Sequence, residues 1–88
     1  VNRVFLSGTV RKAPEIAYTP KGRKVITFPM WVAEGDFSIE VVGAGDVPRR
    51  PDQAVGNSVL VAGELIKTKF RTHDRMRVKA SKILWTEE

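Results

Sequence analysis

Apolar and polar residues alternate from the start of the chain. Val4, Leu6, Gly8 and Val10 fall on one side; Arg3, Phe5, Ser7, Thr9 and Arg11 fall on the other. A period of two marks a strand with one face on a core. Gly8 in its middle predicts a bulge or sharp bend, as where one strand serves two sheets of a small barrel. Pro14 stops the run, E-I-A-Y-T (15–19) makes a short second run, and P-K-G is a turn signal. The next strand covers 23–33, with Ile26, Phe28, Met30 and Val32 inward and Val25, Thr27, Pro29 and Trp31 outward. Pro29 has no N–H to donate, so that side of the strand is an edge or carries a bulge. E-G-D (34–36) predicts a tight hairpin with Gly35 at its tip.

A third long strand covers 37–42. Glu40 must face water, which sends Ser38 and Val42 outward and Phe37, Ile39 and Val41 into the core. In the connector 46–57, Pro48 and Pro51 exclude a long helix. At most one turn is expected there, near 52–55, and Arg49 and Arg50 form a solvated basic pair. The fourth strand, 58–71, turns Val59, Val61, Gly63 and Leu65 inward. That row becomes polar at Lys67 and Lys69, so the strand leaves the barrel and enters a protruding hairpin with its tip at 72–75. The fifth, 76–84, returns with Met76, Val78, Ala80 and Leu84 inward. Five strands of this kind, with a protruding fourth connection, are what an OB-fold needs: an all-β, five-stranded Greek-key barrel with a basic hairpin between strands four and five.

N-R-V-F-L-S-G-T-V, followed by P-E-I-A-Y-T-P-K-G and a strand, resembles the N-terminal signature of bacterial single-stranded DNA-binding proteins, the SSB family. L-S-G-T-V is also similar to the related primosomal replication protein PriB, and G-E-L-I-K-T-K-F resembles the family's fourth strand. The long flexible loop common in the family after its second strand is replaced here by the short E-G-D turn. Aligning V-V-G-A-G with the family's similar run puts Ser38 and Ala44 where the family carries aromatic stacking residues. Tyr18 matches a small-strand tyrosine of structural character.

Charge sharpens this picture. The net formal charge of +5 is concentrated: residues 1–24 carry +5, residues 25–66 carry −4, residues 67–82 carry +6 and the last six carry −2. Such concentration suits a polyanionic partner, although a solvated basic hairpin would carry the same charge. At 88 residues the chain reads as one domain, 1–88, with a modest core that oligomerisation would support. The absence of cysteine excludes disulfides, a thiol nucleophile and a zinc-finger pattern. No signal peptide or membrane-spanning run is present, so a cytoplasmic setting is expected, with no membrane partner.

Catalysis finds no support in the motifs. His73 has no nucleophile partner, the carboxylates are scattered, and G-A-G (43–45) lacks the further glycine and helix of a dinucleotide loop. The expectation is a non-enzyme without cofactor or metal. Single-strand binding needs a cationic track and exposed rings for unstacked bases. The stretch 67–79 interleaves both: Lys67, Lys69, Arg71, Arg75, Arg77 and Lys79 supply charge, and Phe70 a ring. Arg3, Lys21 and Arg23 add cations from the first basic segment. The resemblance implies that Phe70 stacks on a base and that Lys69 and Arg71 take basic positions of the site; packing with Ile66 or an oligomer contact is the alternative for Phe70. Trp31 is open between base stacking and a subunit interface, and Trp85 between packing and an interface.

The resemblance implies a nucleoid-associated bacterial protein that binds single-stranded DNA with little sequence preference in replication, repair or recombination. It also implies a homodimer or homotetramer, with replication proteins as further partners. Family members end in an acidic tail that recruits partner enzymes, whereas this sequence ends I-L-W-T-E-E: either a tail has been cut away, or the role is a PriB-like one in replication restart, and both stay open. RNA binding, a non-catalytic protein-interaction subunit and, as the enzymatic alternative, a nuclease are the other open readings.

Overall fold

The structure, a computed structural model, describes residues 1–44 and 54–86, and of Phe70 the backbone alone. Its strands are β1 (Val4–Val10), β2 (Glu15–Tyr18), β3 (Lys24–Val32), β4 (Phe37–Ala44), β5 (Ser58–Phe70) and β6 (His73–Trp85). The sheet order is β1-β5-β6-β4-β3-β2, and β1 also pairs with β3. That last pairing closes β1, β3, β4, β6 and β5 into a ring, with β4 and β6 parallel and the other pairs antiparallel. The short run after Pro14 forms a sixth strand, β2, which pairs with β3 outside the ring, from Glu15↔Thr27 to Tyr18↔Lys24. The ring thus holds five strands, as expected of the barrel, and β2 adds a sixth beside it.

Gly8 is the point at which β1 changes partner. Residues Val4–Thr9 pair with β5, while Thr9 and Val10 pair with β3. A Cβ on Gly8 would collide with the Trp31 carbonyl oxygen and lie 2.6 Å from Met30 Cγ. Only glycine lets β1 pass this close to β3. Pro29 sits where the same edge of β3 passes from β1 to β2, and its carbonyl oxygen accepts from the Arg11 N–H at 3.3 Å. The missing N–H of proline thus falls where the ladder is interrupted.

The core is Val10, Ile26, Phe28, Met30, Val32, Val41, Val59, Val61, Val78 and Ala80, with Val4, Leu6, Ile39, Leu65, Ile83 and Trp85 packed against it. Three inward assignments fail. Leu84 is 49% exposed, because a bulge between the pairs Ala62↔Lys82 and Gly63↔Ala80 inserts Ser81 as an extra residue in β6. Beyond an extra residue the alternation reverses, so Ile83 and Trp85 turn in and Leu84 turns out. Trp85 meets Phe28 at a centroid distance of 5.0 Å, which makes it a packing residue. Met76 is 51% exposed because it pairs with Lys67 in the hairpin, past the barrel. Phe37 keeps the inward parity but is 40% exposed at the open end of β4.

The turns follow the sequence closely. Asp36 N–H donates to Ala33 O in the 33–36 turn, and Asp36 rather than Gly35 takes the left-handed conformation, at φ 55°. The hairpin tip is Arg71-Thr72 rather than 72–75, since Phe70 pairs directly with His73. Asn57 N–H donates to Ala54 O, closing a turn over 54–57; the turn expected near 52–55 begins outside the described residues. Arg49 and Arg50 lie outside the described residues. Among the described residues no helix is long and apolar enough to cross a membrane.

Candidate nucleic-acid interface

Phe28, Val41 and Val78 point into the core, so their chain neighbours on β3, β4 and β6 share the outer face. Register arranges that face in rows. Trp31 lies opposite Ser38; Pro29 lies opposite Glu40, which lies opposite Arg77; Thr27 lies opposite Val42, which lies opposite Lys79. On β5, Ile66 and Glu64 continue the rows beyond Arg77 and Lys79. OB-folds bind oligonucleotides on this face of the second and third barrel strands, here β3 and β4, and on the connections at either end.

Trp31 holds the one ring on the outer rows of β3 and β4, since Ser38 and Ala44 carry none. The guanidinium of Arg11 lies over it, 4.9 Å from the ring centroid. Barrel closure sets this contact. The pair Val10↔Met30 ends β1 against β3, and the next residue is bonded by its backbone to Pro29. A cation over an indole face is attractive, and it extends the flat surface on which a base can stack.

Glu40, expected in water, is half-buried and bonded to Arg77, whose Nη2 donates to Glu40 Oε1. Arg77 Nε is buried without a hydrogen-bond partner. Arg11 and Glu40 are charged residues of the face that the sequence reading did not name as site residues. Arg11 was already on the outward row of the first strand, so its closeness to Trp31 needed only the β1–β3 register.

A cleft of about 580 Å³ lies where the start of β1 meets β5 and β6, with Arg3, Phe5, Glu64, Lys79 and Ser81 among its walls. Asn2 fixes the chain there: its Nδ2 donates to Leu65 O at 2.7 Å, and Leu65 N–H donates to its Oδ1 at 2.9 Å. Among the described residues no group of three or more His, Cys, Asp or Glu is placed to hold a metal ion.

No family model matches the chain, and no curated protein does. Solved structures do. Wild-type single-stranded DNA-binding protein from Thermus aquaticus superposes with a TM-score of 0.79 at 25% identity over 100% of this chain. This chain spans 41% of the length of that protein. An SSB from Plasmodium falciparum, in complex with ssDNA, gives 0.77 at 20% identity, covering 99% of this chain and 96% of that one. The dimeric N-terminal domain of PriB from Thermoanaerobacter tencongensis gives 0.70 at 21% identity, covering 99% and 98%. This is an SSB/PriB-type OB-fold.

Within the SSB/PriB-type fold the candidate residues separate. Trp31, Arg77 and Lys79 share the outer face, and Arg75 continues the same row of β6 toward the hairpin tip. Lys67 and Lys69 have the opposite parity and lie on the other side of the hairpin, Lys67 Nζ 3.9 Å from Asp74. Lys21 and Arg23 are exposed on the β2–β3 turn, which Thr19 closes through its N–H, carbonyl and Oγ1, at the end of β3 away from Trp31. Arg3 stands at the cleft. Arg71 is exposed at the hairpin tip with φ 57°. The side chain of Phe70 lies outside the described residues. The SSB/PriB-type fold therefore offers one outer face on which Trp31, near the β3–β4 turn, shares the surface with Arg75, Arg77 and Lys79.

Proposed function

We propose that the chain is a single nucleic-acid-binding domain that binds single-stranded DNA with little sequence preference, in DNA replication, repair or recombination. It acts by binding rather than by catalysis. The observation that carries this reading is the outer face of β3, β4 and β6, with Trp31 under Arg11 and with Arg75 and Lys79 beside it. A base stacks at Trp31, and the cations meet phosphates on either side. Lys67, Lys69 and Arg71 extend the charge along the hairpin, Lys21 and Arg23 extend it at the opposite end, and Arg3 lies beyond Lys79. Phe70 is a second stacking position at the hairpin. The structural neighbours support the reading: two are single-stranded DNA-binding proteins, one of them in complex with ssDNA.

Titration with oligothymidine, read by tryptophan fluorescence, tests it. Trp85 packs on Phe28, so quenching reports Trp31. Trp31→Ala is expected to weaken binding by about 1–3 kcal/mol. Contact with about four to six phosphates gives a log–log salt slope of roughly −3 to −4, at about −0.7 per phosphate. Absence of binding at low salt would overturn the proposal.

A further inference from the structure

Glu40 is out of place on a surface for a polyanion. It stands in the middle row of the outer face, between Pro29 and Arg77 and diagonal to Trp31. Its side chain is 32% exposed and that of Arg77 26% exposed, so neither projects freely into solvent. The Glu40 carboxylate holds Nη2 of Arg77, and Nε is turned into the protein where nothing accepts from it. The cation nearest Trp31 on the parallel β4–β6 seam is thus already neutralised. A phosphate would have to break a half-buried ion pair and approach a carboxylate to reach it.

We propose that Glu40 is a specificity-determining residue of this face: it withdraws Arg77 from phosphates and offers its carboxylate to the amino groups of bases stacked at Trp31. Glu40 lies one strand across and one step along from Trp31, within reach of the edge of a base on the indole. An ionised carboxylate only accepts hydrogen bonds. Cytosine presents N4–H₂ and adenine N6–H₂ to such an acceptor, and carboxylates read cytosine in this way in duplex DNA. Thymine has no amino group. Its imide N–H lies between two carbonyl oxygens, which a carboxylate repels. The Glu40–Arg77 row therefore takes bases rather than backbone, and favours amino-bearing bases. This role rests on the binding reading above and adds to it the class of base preferred.

The test compares oligocytidine and oligothymidine deoxynucleotides of equal length, each titrated at several salt concentrations. Glu40→Ala removes the acceptor and frees Arg77; Glu40→Gln keeps shape and an acceptor for Arg77 but removes the charge, and guards against loss of fold. The dC-to-dT affinity ratio of the parent is expected to fall roughly ten- to a hundredfold in Glu40→Ala, the worth of one hydrogen bond to a charged group, and to fall partway in Glu40→Gln. The salt slope of Glu40→Ala is expected to steepen by about 0.7 as Arg77 gains a phosphate. Arg77→Met should leave the parental slope unchanged, whereas Lys79→Met should make it shallower. A ratio unchanged in folded Glu40→Ala or Glu40→Gln overturns the proposal, as does a slope that becomes shallower in Arg77→Met. If the parent binds neither oligomer, the binding reading itself fails.

Discussion

Gly8 lacks a side chain because two strands need its space. Gly8→Ala drives a methyl into the Trp31 carbonyl and the Met30 side chain at the closure of the barrel. Overpacking of this kind costs about 1–3 kcal/mol, read as a lower urea midpoint with an unchanged slope; an unchanged midpoint would mean that β1 and β3 part without cost. Asn2 works in the opposite sense. Its amide makes a donor and an acceptor bond with Leu65, continuing the β1–β5 ladder with a side chain. Each such bond is worth about 0.5–1.5 kcal/mol, so Asn2→Ala is expected to lower stability by a similar or slightly larger amount in the same assay. At this scale alternation told which face a residue occupies but not its partner. Trp31 was legible as outward from its neighbours Ile26, Phe28, Met30 and Val32. The Arg11–Trp31 and Glu40–Arg77 contacts were not, because each depends on which strands meet, and on register across them. The sequence assigned Glu40 to water for a sound reason, the cost of burying a lone charge, and the structure meets that cost with Arg77.

At the scale of elements the bulge in β6 is decisive. Ser81 adds one residue opposite Ala62/Gly63, and its hydroxyl donates to Ala62 O at 3.1 Å. Gly63 is required beside it, since a Cβ there would come within 2.8 Å of Ala80 Cα. Deleting Ser81 would restore simple alternation and leave Ile83 and Trp85 inward, Leu84 outward and each β5–β6 pair with its partner. Both the deletion and Ser81→Ala are therefore expected to keep a cooperative thermal transition; its loss in the deletion would mean that the bulge itself is needed to seat Ile83 and Trp85. The alternation was readable up to Ala80 and failed after it, since one inserted residue leaves no mark in a run of mixed residues. The hairpin tip failed for a related reason. Thr72-His73-Asp74-Arg75 has turn-like composition, yet pairing persists to Phe70↔His73 and leaves Arg71 in the left-handed region. That conformation costs an L-residue about 1–2 kcal/mol. Arg71→Gly is expected to recover about that much stability while weakening single-strand binding, two changes that melting and titration measure separately.

For the whole molecule, Arg75, Arg77 and Lys79 of the second basic segment share a face with Trp31, which Arg11 of the first segment covers, and the acidic middle supplies Glu40 and Glu64 on it. The edge of β1 has a different character. Over Val4–Gly8 it pairs with β5 on one side only, because its pairing with β3 begins at Thr9. Among the described residues no strand pairs with the other side. Phe5 projects beside this edge at 73% exposure, and Leu60 and Leu84, cross-strand neighbours, continue an apolar outer surface. An exposed, paired-on-one-side strand with apolar residues invites another strand, and a barrel of 88 residues has little core to spare. A second copy of the chain satisfies both, and a homodimer is the expected state. Sedimentation velocity at micromolar concentration should give a dimer or a tetramer built from it. Phe5→Glu places like charges together across a two-fold interface, because such an interface uses the same patch twice. It should shift the mass to that of one chain and leave the binding of a short oligonucleotide to Trp31 in place, since Phe5 lies on β1 and Trp31 on β3. A parent chain that stays monomeric would refute the dimer, and a Phe5→Glu dimer would move the interface away from β1.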